Sequence, residues 1–111
     1  MRSGEGNIQT DIVQYLAMRH DVAWVHVTSS GKMRGAGGRV YTIGFPGLTD
    51  IMAQLRDGRI LCVEVKQPGK RPDEHQYRFM MTVALNNGIA FWCDSVESCK
   101  FHLDTALWCT Q

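Results

Sequence analysis

No stretch of this chain is apolar for long enough to cross a bilayer as a helix, and its polar N-terminus lacks the layout of a secretory leader. These absences lead us to expect a soluble, intracellular protein with no membrane partner, of the kind found in a bacterial or phage-infected cell. No common zinc pattern is present: the four cysteines (Cys62, Cys93, Cys99, Cys109) stand mostly in apolar segments at spacings that match none. Cys99 and His102 can share a helix face, but a reduced, buried cysteine set is the expectation. No His-Glu-x-x-His pair occurs, so the histidines, including His26 and His75, read as surface or hydrogen-bonded groups rather than metal ligands. No strand leads into a Gly-x-x-x-x-Gly-Lys turn and a helix, which excludes a phosphate loop. There is no internal repeat. At 111 residues the chain is one domain, 1–111, able to bury roughly two-thirds of its unfolded surface without metals or disulfides.

Net charge is only +1, but the charges are not evenly spread. Residues 28–72 hold eight basic residues (Lys32, Arg34, Arg39, Arg56, Arg59, Lys66, Lys70, Arg71) against three acidic ones. Residues 79–111 hold one, Lys100, against Asp94, Glu97 and Asp104. A phosphate-backbone binder needs its positive charge concentrated in this way, although a solvated basic loop gives the same pattern.

Asn7 to about Arg19 has helical periodicity, with Ile8, Ile12, Tyr15 and Leu16 on one stripe. Val22–Val27 is a strand rich in β-branched residues. Thr28 to Gly38 is polar and glycine-rich; it is expected to be either a connector or a basic loop that orders on nucleic acid, with Lys32 and Arg34 in it. Arg39–Ile43 reads as a short strand, and Gly44-Phe45-Pro46-Gly47 as a turn. Asp57-Gly58 then marks a hairpin between Ile51–Arg56 and Ile60–Lys66. Pro72 to Asn86 reads as a helix with Asp73 as N-cap and Gln76 at capping-box spacing, its buried face formed by Phe79, Met80, Val83 and Ala84. Ile89–Cys93 is expected to be a buried strand, and Asp94 and Ser95 to cap a last helix with Val96, Cys99, Leu103 and Leu107 on one side. The order αβββαβα, with a helical crossover into the last strand, implies an α/β fold with a mixed four-stranded sheet flanked by helices.

Asp50, Glu64 and Lys66 carry the chemistry. Glu64 and Lys66 belong to an apolar strand, where charges are costly unless paired or metal-bound, and a spacing of two puts them on one face. The hairpin can bring Asp50 beside Glu64. An ordinary Glu64–Lys66 ion pair is the plain alternative. The functional reading is a divalent-cation site, Mg²⁺ or Mn²⁺, in which Asp50 and Glu64 supply carboxylates and the Val65 carbonyl a further oxygen. Lys66 would orient the attacking water or stabilise the developing phosphate charge. Lys70 and Arg71 follow in the loop that leaves this strand.

The succession Glu5 … Gly44-Phe45-Pro46-Gly47-Leu48-Thr49-Asp50 … Asp57-Gly58-Arg59 … Val63-Glu64-Val65-Lys66 … Gln76 resembles the VRR-NUC domain, a virus-type replication-repair nuclease of the PD-(D/E)XK superfamily, in its stand-alone form. The resemblance runs from Glu5 to about Glu97. It implies a PD-(D/E)XK-type core, Asp50 and Glu64 as metal ligands and Lys66 as the catalytic lysine. It also implies Glu5 as an outer acidic residue of the metal site and Gln76 as a site residue opening its helix. Thr49 departs from the proline common at that place, where proline only shapes the turn. The activity implied is a metal-dependent endonuclease acting as a homodimer on branched DNA, above all four-way junctions, with Lys32, Arg34, Arg39, Lys70 and Arg71 on the DNA. A flap or single-strand nuclease, or a catalytically silent DNA-binding fold, are the alternatives.

Overall fold

The structure is a computed structural model that describes residues 4–28, 31–34, 37, 40–43 and 45–110, with the backbone alone for 5, 31–34 and 40–43. Its elements are α1 (Glu5–Met18), β1 (Val22–Val27), β2 (Gly31–Arg34), β3 (Val40–Ile43), β4 (Ile51–Leu55), β5 (Ile60–Val65), α2 (Glu74–Leu85), β6 (Ile89–Cys93) and α3 (Val96–Cys109). Four strands form one sheet in the order β1-β4-β5-β6, antiparallel except for the parallel β5–β6 pair. With their helices these give the expected αβββαβα order and the mixed α/β sheet.

The stretch 28–38 differs from the loop expected there. Gly31–Arg34 is a strand, paired antiparallel with Val40–Ile43 as a separate two-stranded ribbon, in the register Lys32↔Thr42 and Arg34↔Val40. The physical reason is that Val40-Tyr41-Thr42-Ile43 is a strong strand former whose backbone donors and acceptors need partners. The neighbouring segment supplies them. Lys32 and Arg34 thus sit on β2, where only the backbone is described, and Arg39 lies outside the described residues.

Side chains alternate across the sheet, and the two faces differ. Ile51, Ala53 and Leu55 of β4 and Leu61, Val63 and Val65 of β5 are buried against Ile12 and Leu16 of α1 and Cys99 and Leu103 of α3. Full burial of an aliphatic side chain such as Ile12 or Leu16 stabilises the fold by about 1.5–3 kcal/mol. Arg19 ties these two helices: it donates to Asp104 Oδ1 (2.9 Å), to both Asp21 oxygens and to the Tyr15 hydroxyl.

The opposite face carries Met52, Gln54, Cys62 and Glu64, and α2 covers only its β5–β6 half. Met80 is the one buried side chain of α2; Phe79 and Val83 are half-buried and Ala84 is exposed, so the expected four-residue face is narrower than predicted. The reason is that α2 packs on two strands at the border of the sheet. For the same reason β6, an edge strand, buries only Ile89 and Cys93 and leaves Ala90, Phe91 and Trp92 half-buried. Three cysteines are buried and reduced; Cys109 is exposed, because it stands off the Val96–Cys99–Leu103–Leu107 stripe.

Candidate active site

Asp50 and Glu64 meet where β4 begins and β5 ends. The hairpin does this by register: Ile51 pairs with Val63, so the residue before β4 falls beside the residue after Val63. Gly58, at φ +100, makes the turn, closed by Gly58 N–H donating to the Leu55 carbonyl at 2.9 Å. Two further bonds lock the carboxylates. Asp50 N–H donates to Glu64 Oε1 (3.1 Å), and Val65 N–H donates to Asp50 Oδ2 (2.9 Å). A strand residue's N–H and C=O point to the same edge, so the Val65 carbonyl faces the Asp50 side.

Lys66 Nζ lies 3.3 Å from Glu64 Oε2, on the same face as its spacing predicts. The Glu64 side chain is only 2 % exposed. Burial, reinforced by the nearby Asp50 charge, pushes its pKa up to about 7, against the opposing pull of Lys66 and the Asp50 N–H. A carboxylate paired with lysine on a solvent-facing strand would not behave this way. The Glu64–Lys66 ion pair is present, but on a buried carboxylate rather than on a solvent-facing strand.

Gln76 completes the capping box its spacing suggested and also reaches Glu64. Its Oε1 accepts from Asp73 N–H and its own N–H donates to Asp73 Oδ1, both at 2.9 Å, completing a capping box. Its Nε2 donates to Glu64 Oε2. One amide thus caps α2 and holds the buried carboxylate. The turn before β4 sets that approach. Leu48 N–H donates to the Phe45 carbonyl at 3.0 Å around Pro46 and Gly47, with Gly47 at φ +82 as a type II turn requires. Gly47 lies flat on α2: a Cβ there would stand 2.7 Å from the His75 carbonyl carbon.

Two positioning residues had no sequence signal. Thr28 receives the hairpin from β1, its N–H donating to the Asp50 carbonyl (2.8 Å) and its hydroxyl to the Thr49 carbonyl (2.6 Å). Only strand register connects it with residues so far along the chain. Thr49 is fully buried, and its hydroxyl donates to the Ile51 carbonyl (3.1 Å).

The first turn of α1 reaches the same end of the sheet, since an added Cβ at Gly4 would be 3.5 Å from Gln67 Nε2, next to Lys66. The Glu5 side chain lies outside the described residues. Lys70 and Arg71 are exposed in the loop after β5, which turns through Gly69 at φ +89. His26 and His75 are both exposed.

Among the described residues no group of three or more His, Cys, Asp or Glu side chains gathers to hold a metal. The oxygens available at this end of the hairpin are the Asp50 and Glu64 carboxylates, linked through the two backbone hydrogen bonds, and the Val65 carbonyl. Such a set suits a hard divalent cation that keeps waters in its remaining positions. The charge balance suits it as well: burial and the nearby Asp50 charge raise the ionisation cost of Glu64, and a cation beside it would offset that cost. No protein-family model, no curated protein and no solved structure matches this chain.

Proposed function

We propose that this chain is a metal-dependent endodeoxyribonuclease of the VRR-NUC type, with a PD-(D/E)XK core. The observation that carries the reading is the convergence of Asp50, Glu64, Lys66 and Gln76 on one point, with Glu64 buried and pushed toward neutrality. A structural ion pair gains little from a buried carboxylate with a raised pKa, whereas a cation site does.

Mg²⁺ or Mn²⁺, held by Asp50, Glu64 and the Val65 carbonyl, would supply Lewis acidity toward a phosphate oxygen and activation of water. The chain's own groups do the rest. Lys66 presents a cation beside Glu64, where it can orient the attacking water or offset charge developing on the phosphate. The Gln76 amide and the Asp50 N–H fix the two Glu64 oxygens, so the carboxylate does not turn during the reaction. Glu5 is assigned an outer role, on a metal-held water or a second cation. Lys32, Arg34, Arg39, Lys70 and Arg71 are assigned to the DNA backbone.

The substrate we propose is branched DNA, above all the four-way junction. Among the described residues one chain has one such site, and symmetric resolution needs two nicks related by a two-fold axis, which a homodimer provides. The test is to incubate the purified protein with junctions, flaps, single strands and duplex, with Mg²⁺ or Mn²⁺, and to measure its mass in solution. Paired incisions on the junction by a dimer are expected. A monomer at micromolar concentration, or a flap cut far faster than a junction, would move the assignment to a flap or single-strand nuclease. Binding of DNA without cleavage would leave a DNA-binding module.

A further inference from the structure

The half of the sheet face that α2 leaves open displays a tryptophan. Trp24 pairs with Gln54 and His26 with Met52 across β1–β4, and Met52 pairs with Cys62 across β4–β5. Since side chains alternate, Trp24, His26, Met52 and Gln54 lie on the same face as Asp50 and Glu64. Trp24 is 44 % exposed, and the bland role of an indole, filling core, is not open to it there. Its orientation is nonetheless fixed. Trp24 Nε1 donates to Gln54 Oε1 (2.9 Å), and Gln54 Nε2 donates in turn to the Gly58 carbonyl (3.2 Å). The hairpin turn therefore holds the amide, and the amide holds the ring.

Gln54 lies four steps along the chain from Asp50, a distance of about 13 Å at the rise of a strand. Along that path the face carries Trp24, His26, Thr28, Met52 and Gln54, and neither β1 nor β4 contains a carboxylate. Beyond Gln54, at the hairpin tip, the Asp57 carboxylate is paired with Arg59. At the far end stands exposed Arg56, its Nε on the His20 carbonyl at 2.7 Å.

We propose that Trp24 is a stacking platform for an unpaired nucleotide of the substrate strand, on the strand's path to the phosphate held at Asp50, Glu64 and Lys66. This rests on the nuclease reading for what lies at the other end of the path. A base inside a duplex has both faces stacked and gives an exposed indole nothing to bind. A base in a single strand, a flap or an opened junction centre has a free face, and stacking on an aromatic side chain is tolerant of sequence. Trp24 thereby favours DNA with a discontinuity over plain duplex.

The test uses the full-length protein in chelator, so that binding is read without cleavage. The probes are a fluorescein-labelled oligothymidylate and a plain duplex of equal length, followed by anisotropy and by tryptophan emission. Wild type is expected to bind the single strand with quenching of its emission. Trp24→Ala should weaken single-strand binding by about tenfold or more and leave duplex binding unchanged, while Trp24→Phe, which keeps a ring, should stay within about threefold of wild type. Circular dichroism melts confirm that each variant is folded. An unchanged single-strand affinity in Trp24→Ala, or an equal loss on duplex, overturns the platform. If wild type binds and is quenched yet cuts nothing with Mg²⁺ or Mn²⁺, the nuclease reading fails and the platform stands. If wild type cuts but Trp24→Ala binds and cuts identically, the platform alone fails. If wild type binds neither probe, both fail.

Discussion

Glu64 gives the metal-free protein a stability that falls as pH rises, and this can be measured without any substrate. Its folded pKa, about 7, lies above its ordinary value of 4.5, so the folded state holds the proton more tightly than the unfolded chain does. The contribution is therefore fully present below about 4.5 and lost as pH rises through about 7. Each pH unit in that window removes ~1.4 kcal/mol, and the whole window roughly 3 kcal/mol. For a chain of this size that amounts to a fall of roughly 10 °C in Tm between about pH 5 and about pH 8. The carboxylates of Asp21, Asp57 and Asp104, held below their ordinary range by Arg19, Arg59 and Lys100, act with the opposite sign and at lower pH, so they do not obscure the window. The assay is thermal unfolding in chelator across this range for wild type and Glu64→Gln. The glutamine carries no charge, so the difference between the two curves isolates Glu64. Adding Mn²⁺ should raise the wild-type Tm more at about pH 8 than at about pH 5, because a cation binds the ionised form, and should raise Glu64→Gln far less. A wild-type curve that is flat from about pH 5 to about pH 8, or a Glu64→Gln curve with the same slope, would refute the argument.

Asp50→Asn keeps the acceptor for the Val65 N–H but removes the charge, so cleavage should fall by about two or more orders of magnitude while junction binding, which depends on phosphate contacts, survives in a mobility-shift assay. Lys66→Ala should behave likewise, and near-normal cutting by either variant would sink the site. Gln76→Glu keeps the acceptor of the capping box but sets a carboxylate against Glu64 Oε2. Activity should drop much further than the loss of helix stability, about 1 kcal/mol, accounts for; equal and small losses would return Gln76 to a capping role alone. Gly47→Ala should cost about 2 kcal/mol or more in urea unfolding, since it combines a positive φ with a clash at His75. Gly58→Ala, with positive φ but open space around it, should cost about 1–2 kcal/mol, and equal costs would remove the close-approach argument.

Much of the architecture is legible locally. The strands Val22–Val27 and Ile89–Cys93 and the Asp57-Gly58 hairpin follow from β-branched runs and turn chemistry, and the Asp73–Gln76 box from residue spacing, because each is a matter of neighbours in the chain. Asp50, Glu64 and Lys66 are legible too, since the hairpin register and a spacing of two are enough to bring them together. The ribbon of Gly31–Arg34 with Val40–Ile43 is not, because a glycine-rich polar stretch becomes a strand only when a partner lies beside it.

Composition and spacing alone thus determined an α/β chain with a charged triad on one hairpin, because helical and strand periodicities and tight turns are local properties. Only the tertiary structure decided that Glu64 is dry, that a single Gln76 amide both caps α2 and holds Glu64, and that Thr28 anchors Asp50. It also decided that Trp24 stays partly exposed on the half of the sheet that α2 does not cover, while the edge position of β6 leaves Trp92 half-buried. Burial and long-range hydrogen bonding depend on which elements cover which half of the sheet, and no residue's neighbours in sequence carry that information.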